Sequence, residues 1–140
     1  MLPLFSSCKA VPATSLPAEQ LSQNELSFKL SSNATAGDTD NYDSYQFTIY
    51  LEEKQELHVT FQAVGGKVLV SILTPAEETW GYSASGAGST KPSQLVKGRT
   101  IAATEGDFRL TASQWGNYLV TVKSAAPKGD IDVTVEYNIE

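Results

Sequence analysis

The sequence predicts an all-β fold, an antiparallel two-sheet sandwich of jelly-roll type with about eight strands. Three observations carry this. Apolar and polar residues alternate with period two from Leu26 onward, the alternating runs are short and punctuated by Gly, Pro, Asn and Asp, and no stretch has the periodicity of an amphipathic helix. Each run offers one apolar face, and two sheets of such runs bury those faces against each other. At 140 residues, 41% hydrophobic and 19% charged, the chain can build that core without metal or disulfide staples.

Taken in order, the first element is the alternation Leu26-Ser27-Phe28-Lys29-Leu30-Ser31, a strand with one wet face. In the next, Tyr45, Phe47, Ile49 and Leu51 share one face and Ser44, Gln46, Thr48 and Tyr50 the other. A charged turn, Glu52 to Glu56, leads to Leu57, Val59, Phe61 and Ala63 set against His58, Thr60 and Gln62. Gly65-Gly66 predicts a tight turn using positive φ, after which Val68, Val70 and Ile72 form a strand that Pro75 ends. Residues 76–98, rich in Gly, Ser and Thr, read as one long surface loop. Strands return at Arg99-Thr100-Ile101-Ala102-Ala103, at Phe108-Arg109-Leu110, at Gly116 to Val122, and from Ile131 to Ile139.

Before this domain, residues 1–24 read as an address and a tether, which sets the domain at residues 25–140. Met1-Leu2-Pro3-Leu4-Phe5-Ser6-Ser7-Cys8 resembles the end of a bacterial lipoprotein signal, in which the cysteine is lipidated. Phe5 stands where leucine is usual, and no basic n-region or full apolar h-region precedes it. The Pro-, Ala- and Gln-containing stretch that follows would hold the domain off a membrane. An extracytoplasmic place, in the periplasm, outer membrane or cell surface, is the expectation, with membrane contact through a lipid anchor at Cys8 alone. The alternative is a free cysteine in a flexible tail.

Composition narrows the function. A net charge of −6 repels nucleic acid and anionic headgroups and favours a basic partner, although acidity also serves plain solubility. One cysteine excludes an intrachain disulfide and a multi-cysteine metal site. The one histidine, His58, falls on the wet face of its strand, and no nucleophile elbow, zinc-protease pattern or phosphate loop occurs. The inventory therefore predicts a binding protein and no catalysis.

Two groups of residues are candidates for that binding. Asp38, Asp40 and Asp43 place carboxylates at near-alternating loop positions, as a Ca²⁺ site would, but without the glycine and glutamate of an EF-hand; Asp also caps turns unaided. Trp80, Tyr82 and Trp115 fall in or near turns, where aromatics anchor partners or plug the ends of a sandwich. The connection around Trp115 is the richest. Ser113, Gln114, Trp115, Asn117 and Tyr118 bring an aromatic anchor, a hydroxyl and amides together, with Trp115 or Tyr118 as the anchor.

Two segments carry a family resemblance. Asp43-Ser44-Tyr45-Gln46-Phe47-Thr48-Ile49 followed by Gln55-Glu56-Leu57-His58-Val59-Thr60 is one. Gly116-Asn117-Tyr118-Leu119-Val120-Thr121-Val122 followed by Ile131 to Ile139 is the other. Together, over roughly residues 37–140, they resemble bacterial pre-peptidase C-terminal domains and the freestanding periplasmic inhibitors of goose-type and invertebrate-type lysozymes. In this sequence Lys54 occupies a position where those families usually have a turn glycine, and Gln114 and Trp115 separate Ser113 from Gly116. The resemblance implies a jelly-roll-like sandwich that blocks the cleft of a basic lysozyme with a loop. The peptidase-appended domains imply instead a module for polysaccharide or matrix protein, with calcium as a possible cofactor. A structural cell-envelope protein is the third reading, whose sign would be an exposed edge at the last strand.

Overall fold

The period-two alternation resolves into ten strands among the described residues, which in the computed structural model are 19–22, 25–35, 41–83 and 95–140. They are β1 (Glu19–Ser22), β2 (Glu25–Asn33), β3 (Ser44–Leu51), β4 (Glu56–Val64), β5 (Val68–Leu73), β6 (Thr79–Tyr82), β7 (Leu95–Lys97), β8 (Glu105–Thr111), β9 (Gly116–Ser124) and β10 (Lys128–Ile139). Two five-stranded sheets result, one ordered β3-β9-β5-β6-β7 and the other β1-β2-β10-β4-β8. Every pairing is antiparallel, and the sheets pack as an open sandwich.

The inward faces are the ones the alternation marks. Phe47, Ile49 and Leu51 of β3, Leu57, Val59 and Phe61 of β4, and Val120 and Val122 of β9 are all buried. Phe28 stacks on Tyr45 across the sheets at 4.4 Å, and Tyr82 meets the edge of Phe61 at 5.1 Å. Asp43 clasps the sheets at one end of the sandwich. Its carboxylate accepts from the backbone N–H of Ser31 (2.7 Å) and of Ser44 (2.9 Å), and its carbonyl accepts from Ser124 N–H (2.8 Å).

The structure departs from the sequence reading in four places. Glu19–Ser22 pairs with β2, inside the stretch read as tether. The 76–98 loop contains β6 and β7, which extend the first sheet. A short TWGY segment has no alternation to betray it; it is a strand because β5 supplies its ladder, and at Gly81 a side chain would collide with Thr100 Oγ1 and the Arg99 carbonyl. Residues 99–103 are not a strand. Gly98, at φ 73°, turns the chain out of the first sheet. Ala103 then makes an isolated bridge with Val68, so the segment crosses between sheets without joining a ladder. Finally, β10 lies in the middle of its sheet, between β2 and β4, and is not the exposed edge that self-assembly would use.

Candidate functional site

The connection from β8 to β9 changes sheet, so residues 112–115 must cross one end of the sandwich. The sequence makes this crossing tight. Ala112 is buried and exchanges two backbone bonds with the neighbouring 52–55 turn: Lys54 N–H donates to the Ala112 carbonyl, and Ala112 N–H donates to the Gln55 carbonyl, both at 2.8 Å. Lys54 itself adopts φ 76°, the conformation that a glycine would take without strain. At the far side Gly116 (φ 145°) lies against Pro75, where a Cβ would sit 2.7 Å from the proline ring. The crossing is thus held by turns from both sheets.

Tyr118 completes the support from below. Its ring is 1% exposed, and its hydroxyl donates to the Gln114 carbonyl at 2.8 Å. Trp115, by contrast, is 65% exposed, and Ser113, Gln114 and Asn117 are exposed with it. An indole offers about 150–250 Å². Trp115 therefore presents about 100–160 Å² to solvent, worth about 2.5–4 kcal/mol at ~25 cal/mol/Å² if a partner covers it. A single exposed aromatic is ordinary on a protein surface; the bracing beneath this one is what sets it apart.

Of the residues singled out in the sequence, Ser113, Gln114, Trp115 and Asn117 come together at this tip. Tyr118 is corrected from a surface anchor to the post beneath it, since β9 alternation turns it inward. Tyr82 is corrected likewise. It is buried between Phe61 and Phe108, and burial first, then the charges of Asp107 and Glu105, hold its phenol above the ordinary value. Trp80 is half-buried on β6, its indole N–H donating to Glu78 Oε1 at 3.4 Å. Glu78 also receives Lys97 Nζ at 3.1 Å; hydrogen bonds from Lys97 and Trp80 keep its carboxyl below the usual range.

Asp43 is at the opposite end. Asp43 precedes β3, whereas the tip flanks Gly116, which pairs with Leu51 at the other end of that strand. Its carboxylate is occupied by backbone N–H groups, so Asp43 acts as a turn cap and inter-sheet clasp. Asp38, Asp40 and Cys8 lie outside the described residues. His58 stands on the outer face of β4, opposite Arg109 and Asn138, with Nε2 3.5 Å from Asp107 Oδ2 and making no hydrogen bond.

What sequence reasoning missed is the bracing. Tyr50, 49% exposed, pairs across β3–β9 with Asn117 and widens the aromatic surface at this end. Partial desolvation, then the neighbouring Glu52 carboxylate, raises its phenol pKa. The signal was present: Tyr50 breaks the run of Ser, Gln and Thr on the wet face of its strand.

No family model matches the chain, and no curated protein matches its sequence. Among solved structures, the chain is similar to PliG of Aeromonas hydrophila, a periplasmic lysozyme inhibitor of g-type lysozyme. The identity is 14% and the TM-score 0.48, over 87% of this chain and 93% of that one.

Proposed function

We propose that this protein is an extracytoplasmic, non-catalytic binding domain that inhibits a lysozyme by inserting the 112–115 tip into the enzyme's cleft. The observation that carries the reading is Trp115, 65% exposed on a crossing braced by the 52–55 turn, Pro75 and Tyr118. A rigid apolar protrusion loses little entropy on docking, so more of its burial appears as affinity. The partner class comes from the resemblance of the 43–60 and 116–139 segments to lysozyme inhibitors. The surroundings suit a basic enzyme. Glu52 and Glu53 are exposed beside Lys54 in one flanking turn and Glu77 in the other, so both turns are net acidic. The outer face of the second sheet adds Glu25, Glu56, Glu105, Asp107, Asp130, Asp132 and Glu136, opposed by Lys29, Arg109 and Lys128, so a cationic partner is drawn in from a distance. A lipid anchor at Cys8 would keep the inhibitor at the envelope.

The test is enzymatic. The protein is titrated into goose-type, invertebrate-type and chicken-type lysozymes at low and moderate salt. The expected result is saturable inhibition of one class, faster association at low salt, and a loss of about 2 kcal/mol or more, roughly thirtyfold, on Trp115→Ala. Absence of inhibition in all three classes at micromolar protein overturns the proposal.

A further inference from the structure

Among the described residues the open sandwich has four edge strands, β3 and β7 in the first sheet and β1 and β8 in the second. An edge exposes a row of unpaired backbone donors and acceptors, and another chain can pair with them unless short length, charge, proline or a bulge prevents it. Three of the four edges are guarded in these ways. β7 has three residues and carries Lys97, β1 has four and a break in its register, and β8 carries Glu105, Asp107 and Arg109. β3 has no such guard. Its eight residues, SYQFTIYL, include no charge, proline or glycine, and no register shift interrupts its pairing with β9.

The ladder fixes where the free backbone groups of β3 point. Ser124 N–H donates to the Asp43 carbonyl, and in an antiparallel pair such bonded positions recur at every second residue. Tyr45, Phe47, Ile49 and Leu51 therefore direct their backbone groups at β9. Ser44, Gln46, Thr48 and Tyr50 direct theirs at the open edge, where Ser44 N–H is already taken by Asp43 Oδ1. The strand is held straight from within the core. Tyr45 stacks on Phe28 at 4.4 Å and Phe47 on Tyr137 at 6.1 Å, both partners coming from the second sheet. An edge fixed in extended form beforehand loses little entropy on pairing.

The strand also complements its own copy. A two-fold axis at Phe47 sets Ser44 opposite Tyr50 and Gln46 opposite Thr48, so each donor and acceptor aimed outward meets its counterpart. About six backbone hydrogen bonds can form once the two Ser44 N–H groups are left out. No charged side chain enters the seam, and a two-fold join consumes both edges, giving a closed dimer and no fibre.

We propose that β3 is a docking edge for β3 of a second copy of this chain, paired antiparallel about Phe47 so that the two first sheets continue as one. The tip lies at the Leu51 end of β3, so the antiparallel join sends the two tips to opposite ends and leaves both Trp115 rings open. The dimer is independent of the lysozyme reading. It also responds to salt in the opposite sense: two copies of net charge −6 repel, so salt tightens the dimer, whereas salt slows association with a basic enzyme.

The experiment is sedimentation equilibrium of the full chain from about 1 to about 300 μM at low and moderate salt, with amide exchange read at the same concentrations. A monomer–dimer equilibrium with Kd on the order of 10 μM, tighter at moderate salt, is expected. The Gln46, Thr48 and Tyr50 amides should slow about tenfold or more across the series while those of β10 stay unchanged. Thr48→Lys sets two cations diagonally across the seam and should weaken the dimer at least tenfold. Thr48→Pro removes an N–H that faces the open edge, keeps the ladder to β9 and should abolish pairing; thermal melts report whether each variant is folded. A monomer at every concentration overturns the proposal. So does a dimer that Thr48→Lys leaves intact, or one in which the three edge amides exchange as fast as in the monomer, which would place the contact elsewhere. Edge protection that appears only when a lysozyme is added would assign β3 to a foreign strand and equally overturns it.

Discussion

Tyr118→Phe isolates the contact that makes the tip rigid. The phenol ring is 1% exposed inside the sandwich, and phenylalanine fills the same space, so no cavity opens and the transfer term is close to zero. What disappears is the 2.8 Å hydrogen bond from Tyr118 to the Gln114 carbonyl. Such a bond contributes about 0.5–1.5 kcal/mol net. Gln114 is exposed, so water can reach its carbonyl once the hydroxyl is gone, and the large cost of an orphaned buried acceptor does not apply. The expected loss is about 1 kcal/mol, a fall of about 3–5 °C in Tm for a domain of this size. Urea unfolding should show a lower midpoint at unchanged slope. Amide exchange at residues 113–115 should quicken more than exchange in β4 or β10, because the lost bond is local. A midpoint indistinguishable from the parent, with tip exchange unaltered, would refute the idea that Tyr118 holds the tip. A loss beyond about 3 kcal/mol would show that the ring had not kept its place.

Other expectations follow from the same geometry. Lys54→Gly should stabilise the fold by up to about 1 kcal/mol in urea melts, since the native φ of 76° costs a non-glycine residue about 1–2 kcal/mol and glycine's extra unfolded-state freedom returns part of it. Asp43→Ala removes two charge-assisted bonds that join the sheets and should cost about 2–3 kcal/mol; an equal loss on calcium removal from the parent protein would instead favour an ion at this end. Glu25 is raised above the ordinary carboxyl range by desolvation first and then by Glu136, its cross-strand neighbour. A raised acid favours the folded state while protonated, so its contribution fades as pH rises through and above the carboxylate range. Glu136→Gln should accordingly raise Tm at neutral pH and leave it little changed at low pH; a uniform shift at both would contradict this. Gly106→Ala places a methyl group against the Tyr82 ring, and a destabilisation of about 1–3 kcal/mol by thermal melt is expected.

Much of the fold was legible because strand alternation is written locally. Tyr45, Phe47, Ile49 and Leu51 declare an inward face with no knowledge of their partners, and burial agrees residue by residue. The candidate site was legible in part for the same reason. Ser113, Gln114 and Trp115 sit between two clear strands, so a connection had to lie there. Tyr118 was misplaced because it was read with the turn beside it and not with its own strand. Counting from Gly116, a period of two turns it inward with Val120 and Val122, and that step was available in the sequence.

By itself, then, the sequence determined the all-β class, the inward faces of seven strands and the position of an exposed aromatic connection, since each depends on neighbours two residues apart. The tertiary structure alone decided which strands lie at edges, how β6 and β7 join a sheet, and what braces Trp115. Those features depend on contacts between distant segments, such as Lys54 with Ala112 and Gly116 with Pro75. A strand with weak alternation forms when a neighbour supplies its ladder, and a loop becomes rigid when other turns close around it. Neither condition is a property of the segment itself, which is why neither is recorded in its residues.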